Sequence, residues 1–308
     1  MKTFFILPFY FITIMKGSFE SIFDSIIPSA KSLLLTKALI TIPFAKEAIE
    51  LLWSDANSQF AKEYAYSMEF ILRLIHFETR YWSIDEALAK IDIKNIIEIS
   101  SGYSFRGLSL CKNPEVYYID TDLPILMESK KTLVQELARN YCSYPTNNLV
   151  MQGLNVLDED AFTEVIRLFP PGPIALVNEG LLVYLDDEQK RKLCTLIHKI
   201  LREREGYWIT ADIYIKKDES SPLAIDIFDE RGKEFLTNHD VEENKFESFE
   251  SAETFFKTCG FYLHEKIEVP PLQVSSRKLL RKIPMPKLEE LKGTKKTRET
   301  WILGINLK

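Results

Sequence analysis

Residues 93–124 read IKNIIEISSGYSFRGLSLCKNPEVYYIDTDLP. An apolar run (Ile96, Ile97, Ile99) ends in Ser100, Ser101 and Gly102, and a second (Val116, Tyr117, Tyr118, Ile119) ends in Asp120 and Asp122. The order is strand, small-residue turn, helix, strand, acid. That order opens a parallel sheet with helices on both faces, in which ligands sit beyond the carboxyl ends of the strands where strand order reverses. Gly102 admits a close ligand because it carries no side chain, and it tolerates positive φ. An acid about twenty residues further on can accept from both hydroxyls of a ribose.

The glycines choose between two ligand classes. A dinucleotide site needs G-x-G-x-x-G/A, so that pyrophosphate can reach the helix N-terminus. Here Ser100 stands at the first glycine position and Phe105 at the third, which disfavours pyrophosphate. What remains is a roomier loop with an acid, Glu98, in the strand before it. A cationic, phosphate-free nucleoside suits such a loop, and S-adenosylmethionine is one. On this reading Glu98, Ser100, Gly102, Arg106, Asp120 and Asp122 are candidate cofactor-binding residues.

EISSGYSFRG, YYIDTDLP, NVLD and VNEGLLVYL, in that order, resemble the motifs of the class I methyltransferases, and among them the leucine carboxyl methyltransferase-like family, which includes O-methyltransferases associated with polyketide synthesis. The resemblance runs over roughly residues 30–265, and DTDLP and NEGLLVYL are its most specific parts. It implies a Rossmann-like α/β sheet, mostly parallel with the last strand antiparallel, under an N-terminal helical cap. It further implies S-adenosylmethionine as cofactor and a methyl transfer to a carboxylate or hydroxyl of a small-molecule or peptide acceptor. By the same resemblance Arg80 contacts the methionine carboxylate of the cofactor, as a guanidinium pairs bidentately with a carboxylate. The alternative for Arg80 is a surface arginine capping a helix.

The chain has 308 residues, with 46% apolar and 27% charged side chains, so it can bury a substantial core. A net charge of −6 argues against a general nucleic-acid binder. The basic cluster of Arg277, Lys278, Arg281, Lys282, Lys292, Lys295 and Lys296 reads as a solvated connector. Cys111, Cys142, Cys194 and Cys259 form no C-x-x-C pair and read as reduced thiols of a cytoplasmic protein. The four histidines are dispersed, so no metal site is expected. Residues 1–18 form an apolar extension whose MKTFFILPFYFITIM run is too short to span a bilayer and lacks a small-x-small cleavage site. It is expected to be a start-site artefact or loosely docked extension, with Met15 an alternative start, ahead of a membrane-surface anchor and then a cleaved signal, and stable membrane insertion is not expected.

Residues 19–92 are expected to be a helical cap, punctuated by Pro28 and Pro43, and 93–308 the Rossmann-like unit with an insertion at about 216–248. Asn155 and Val156 of NVLD sit where the fold places its adenine-facing loop. Asn155 can pair with an adenine edge, while Asn155 or Asp158 equally suits a helix cap. Glu179 stands at the switch point beside Gly102, and either serves the cofactor or is a helix-start acid. Glu179 and Tyr184 are the candidate catalytic residues, and Thr210 and Asp212 can line the acceptor pocket. The final ETWILGINLK alternates as a strand and can pair antiparallel with the strand after Gly260. No histidine lies inside the motifs, which favours a carboxyl acceptor that needs no base. A nucleotide-dependent oxidoreductase and a non-catalytic binding module remain as alternatives. Oligomeric state is not legible.

Overall fold

The computed structural model describes residues 27–52, 67–216, 230–289 and 296–306. The expected N-terminal extension, residues 217–229 of the insertion, and Lys292 and Lys295 of the basic cluster lie outside the described residues.

One sheet organises the chain. Its strands are β1 (Asn95–Ile99), β2 (Tyr117–Asp122), β3 (Leu149–Gly153), β4 (Ile174–Asn178), β5 (Gly206–Tyr214), β6 (Phe261–Ile267) and β7 (Arg298–Ile305). Their spatial order is β3-β2-β1-β4-β5-β7-β6. The pairs from β3 through β5 are parallel, and β7 runs antiparallel to both β5 and β6. This is the Rossmann-like order, with an antiparallel last strand, that the class I methyltransferase resemblance implies. The order reverses between β1 and β4, where Ile99 lies beside Asn178.

Alternation within each strand feeds two apolar layers. Ile97, Ile99, Leu176, Trp208, Trp301 and Leu303 face one cluster, and Ile96, Ala175, Val177, Ile209 and Ile302 face another. Burial on both faces explains why the strands read as near-continuous apolar runs. The short helices α1 (Ile27–Lys37) and α2 (Ala45–Leu52) add a third cluster over the loop after β1, with Leu34, Ile49, Tyr103 and Phe105 in its core.

Met68–Lys90 is one helix, α3, of 23 residues. Arg80 lies inside it. The cause is plain in the chain: no proline or glycine interrupts residues 68–92, and Ser67 caps the start by accepting from Phe70 N at 3.1 Å. Buried positions follow helical spacing through Phe70, Leu74, Phe77, Tyr81, Ile84 and Ala87. Arg80 is therefore a buried mid-helix residue, not a surface cap.

The connector of residues 268–297 also has structure. It forms short 3-10 segments, Pro271–Gln273 and Ser275–Lys282, and the second is tied to α3 by one buried acid. Glu78 accepts from Ser275 N and Oγ at 3.0 and 2.7 Å, from Ser276 N and Oγ at 2.8 and 2.6 Å, and from Thr41 Oγ1 at 2.8 Å. Burial alone would raise its pKa, and these donors, Ser276 foremost, outweigh that and hold it below the usual carboxyl value.

Replacing Glu78 with alanine should destabilise the fold by about 2–3 kcal/mol, since charged hydrogen bonds are lost and buried donors stranded. Urea denaturation reads the loss. Hydrogen exchange should quicken first in residues 275–283 and around Thr41, and uniform exchange across α3 instead would contradict the tie.

Candidate functional site

The carboxyl ends of β1, β2 and β4 form one rim. After β1 the chain turns through Ser100 and Gly102, both at positive φ (52° and 53°). Gly102 suits that geometry, and an added Cβ would lie 3.6 Å from Ala30 of α1. Two backbone donors pin the turn to β2: Ser101 N donates to Thr121 O at 3.0 Å, and Gly102 N donates to Asp122 Oδ2 at 2.6 Å.

The two acids of DTD have different tasks. Asp120 is buried, and its oxygens take Lys130 Nζ at 2.7 and 2.8 Å and the Ser101 hydroxyl. Burial raises its pKa to about 6 against the pull of Lys130. Asp122 is half-buried at the strand end. Among the described residues it accepts from Gly102 N and Leu123 N alone, the latter at 2.7 Å. Burial pushes its carboxyl above the usual range despite those two donors, so it is under-supplied with hydrogen bonds. A carboxylate has about four acceptor positions, and two remain for further hydroxyls. Leu154 N bonds Asp122 O at 2.7 Å, which sets the NVLD turn beside this acid. There Asn155 is exposed, with its Oδ1 accepting from Leu157 N at 3.1 Å, and Val156 is buried. The helix cap falls to Asp158, which accepts from Ala161 N at 3.1 Å and opens α6 (Glu159–Ile166). The intervening helices are α4 (Arg106–Leu110) and α5 (Pro124–Tyr141).

Glu179 follows β4 and is the electrostatic centre of the rim. Lys37 of α1 (3.0 Å), Arg80 of α3 (3.2 Å) and Arg106 of α4 (3.2 Å) all pair with it. Burial would raise its pKa, and Lys37, Arg80 and Arg106 together hold it at about 2. Arg106 also pairs with Asp85 and, at 3.5 Å, with Glu98. Glu98 is fully buried and takes the hydroxyls of Tyr118 at 2.7 Å and Ser104 at 3.0 Å. Glu98 and Arg106 thus brace the loop from beneath.

The turn after Glu179 is held by Asp212, which accepts from Gly180 N (2.6 Å), Leu181 N (2.7 Å), Leu182 N (3.2 Å) and Asn178 Nδ2 (2.6 Å). Gly180 has φ +84°, and a Cβ there would lie 3.5 Å from the Arg80 guanidinium. Thr210 and Asp212 are consequently buried loop anchors, a correction to the expectation that they line an acceptor pocket. Tyr184 is half-buried in the next turn, with its ring edge-on to Phe235 and His239, both at 6.3 Å between centroids.

Three residues outside every motif complete the rim. His76 Nε2 lies 2.9 Å from the Tyr214 hydroxyl, which also accepts from Arg80 Nη1 at 3.2 Å. Arg298 donates to Ala211 O and Thr300 Oγ1, and among the described residues no ion pair joins it to a carboxylate. Burial, then Arg298, Arg80 and Lys245, hold the His76 imidazole neutral, its pKa well below 6.5. One sequence signal was available: His76 and Arg80 are spaced to share a helix face. Tyr214 and Arg298 come from distant strands and gave none. Among the described residues no cluster of His, Cys, Asp and Glu could hold a metal ion.

No family model and no curated protein matches this chain. Solved structures do. A DUF574 family protein from Streptomyces avermitilis matches 89% of this chain over 97% of its own, with 15% identity and a TM-score of 0.52. LepI in complex with SAM matches 73% of this chain with 10% identity and a TM-score of 0.44, and the mitomycin 7-O-methyltransferase MmcR matches 90% with 12% identity and a TM-score of 0.45. This chain spans 46% of LepI and 67% of MmcR. At these identities the likeness is one of fold.

Replacing Glu179 with glutamine leaves buried Lys37 and Arg80 without their carboxylate and takes one of three from Arg106, and should destabilise the protein by about 3–5 kcal/mol near neutral pH. Its folded pKa lies below the unfolded carboxyl value of 4.5, so the stabilisation is whole above that value and fades as pH falls toward about 2. The stability gap between wild type and Glu179→Gln, from urea melts at stepped pH, should be flat from about pH 8 to 5 and narrow below that.

Proposed function

We propose that the chain is an S-adenosylmethionine-dependent O-methyltransferase of the leucine carboxyl methyltransferase-like kind, acting on a carboxylate of a small-molecule or peptide acceptor. One observation carries the reading: a turn opened by Gly102, an under-bonded carboxylate and a cation trio lie at the carboxyl ends of β1, β2 and β4. That combination matches a nucleoside with a diol at one end and an amino acid at the other.

The residues divide the work by chemistry. Asp122 would take the ribose hydroxyls, and the Ser100–Gly102 backbone would border the amino-acid portion. Val156 offers an apolar surface to the adenine and Asn155 a polar edge. Arg80, with Lys37, would hold the methionine carboxylate. Asp120, Glu98 and Arg106 act indirectly, by fixing the loop. When bound, S-adenosylmethionine supplies a methyl group on a sulfonium, and the protein's contribution is alignment, which can be worth several kcal/mol.

Acid strength supports a carboxyl acceptor over a hydroxyl. Glu179, at about 2, and His76, well below 6.5, are too weak as bases to take a proton from an alcohol at neutral pH. A carboxylate is already ionised. Arg298, with no ion pair among the described residues, would draw that anion toward Tyr214, and Tyr184 with Phe235 would border the rest of the acceptor. Four free thiols suit a reducing compartment such as the cytoplasm. Among the described residues no helix is long and apolar enough to cross a membrane.

Calorimetric and thermal titration with S-adenosylmethionine, S-adenosylhomocysteine and NADH tests the cofactor. The two adenosyl ligands should stabilise the fold, by about 2.7 kcal/mol at roughly one hundred times the dissociation constant, and Asp122→Ala should weaken their binding at least tenfold. Stabilisation by NADH alone would favour an oxidoreductase. Binding of the adenosyl ligands without methylation of any acceptor in broad extracts would favour a binding module. Carboxyl methylation is recognised by release of labelled methanol in mild alkali, and a base-stable product would replace the carboxylate with a hydroxyl.

A further inference from the structure

We propose that Leu272, Arg277, Lys278, Arg281, Lys282 and Met285 form a face that docks the protein on the surface of an anionic lipid bilayer. The inference is independent of the proposed methyl transfer. It starts from the order of charges. Residues 269–288 carry five basic side chains and no acidic one, in a chain whose net charge is −6. A solvated connector has no need of a single sign, whereas a surface that meets a polyanion does.

The fold turns this stretch into a fixed face. Glu78 of α3 holds the backbone and hydroxyls of Ser275 and Ser276. Further along, Ile283 packs with Met68 and Ile71 of α3, and Leu279 and Leu280 lie against the same cluster. Ser276 and Ile283 are buried, while Arg277, Lys278, Arg281 and Lys282 are exposed. The apolar side of the segment Ser275–Lys282 is thus spent on α3, and its cations face solvent. Among the described residues no ion pair joins Arg277, Lys278 or Arg281 to an acid. Lys296, at the far end of the same basic cluster, differs: it pairs with Glu268 at 3.4 Å and Glu299 at 3.5 Å. Glu86, which flanks the face, accepts from Gln273 Nε2.

Apolar side chains at both ends select the kind of polyanion. Leu272, in the turn Pro271–Gln273, is 100% exposed, and Met285, which opens the short helix Met285–Glu289, is 66% exposed. Pro270, Pro271, Pro284 and Pro286 stiffen the chain around them. A nucleic-acid backbone would satisfy the cations and leave Leu272 and Met285 in water. A bilayer surface serves both, since anionic headgroups meet the guanidinium and ammonium groups while Leu272 and Met285 enter the boundary with the acyl chains. Two apolar side chains are too few to anchor a protein alone, so the attachment is reversible and depends on charge.

The test sediments the full-length protein with vesicles of phosphatidylcholine alone and with vesicles in which phosphatidylserine replaces part of that lipid. Binding to the anionic vesicles should be tighter by about tenfold or more, and should weaken as salt rises from about 0.05 to 0.5 M. The combined variant Arg277→Gln, Lys278→Gln, Arg281→Gln should lose about tenfold or more of that affinity. Leu272→Ser with Met285→Ser should also weaken binding while keeping its salt dependence. All five side chains are exposed, so the variants should melt with the wild type. The apolar run near the amino terminus is present in every protein compared and cancels from the differences. Wild-type binding that is equal on the two vesicle types would overturn the proposal without reliance on any variant, and so would a triple variant that binds as the wild type does. Tighter binding to a DNA duplex than to vesicles, unmoved by the Leu272 and Met285 changes, would overturn it in favour of a nucleic acid.

Discussion

The rim of the sheet depends on burying Glu179 among three cations. Taking four charges out of water is unfavourable unless each finds its partner at short range, so the arrangement is stable only with every contributor in place. The contributors come from four separate pieces of chain: Lys37 from α1, Arg80 from α3, Arg106 from α4 and Glu179 from the end of β4. The N-terminal helices therefore sit on the sheet by charge as well as by apolar contact. Tyr81 strengthens the lock, since the Arg106 guanidinium lies over its ring at 4.0 Å and the Lys37 ammonium at 5.7 Å.

The same device recurs wherever a loop must hold still. Asp212 gathers three consecutive backbone N–H groups of the turn after Glu179, Asp122 takes Gly102 N and Leu123 N, and Glu78 collects five donors from two segments. A turn held only by its own backbone would be mobile. Here acids projecting from strands and a helix fix the turns from outside, so that the rim is ordered before any ligand arrives.

This division explains what the sequence disclosed. The central strands β1, β2 and β4 were legible because each is an apolar run buried on both faces, and the acid of DTDLP because Pro124 opens the next helix directly after it. The antiparallel last strand was legible from the alternation of ETWILGINLK. The depth of Arg80 was not, because a helix that continues past Glu78 looks locally like one that stops there. Glu78 itself reads as an ordinary surface acid, since its donors lie 37 and 197 residues away. Lys37 carries no motif, and the pairing of His76 with Tyr214 spans 138 residues. Each of these depends on a partner supplied by the fold, which no local period encodes. Thr210 and Asp212 were misread for the same reason: a polar pair at a strand end resembles a pocket lining until the loop it anchors is in view.

Cations packed this closely oppose base chemistry and favour anion binding. Every positive charge near His76 lowers the affinity of its imidazole for a proton, and Arg80 and Arg298 both do so, after burial itself. Glu179 is drawn so far down that it cannot accept a proton at neutral pH. A site built to deprotonate an alcohol would reverse these choices, surrounding its base with acids or apolar groups. The same charges lower the energy of any carboxylate entering beside Arg298, which forms no ion pair among the described residues. The electrostatic character of the rim thus comes in part from residues that no motif contains, Lys37, His76 and Arg298.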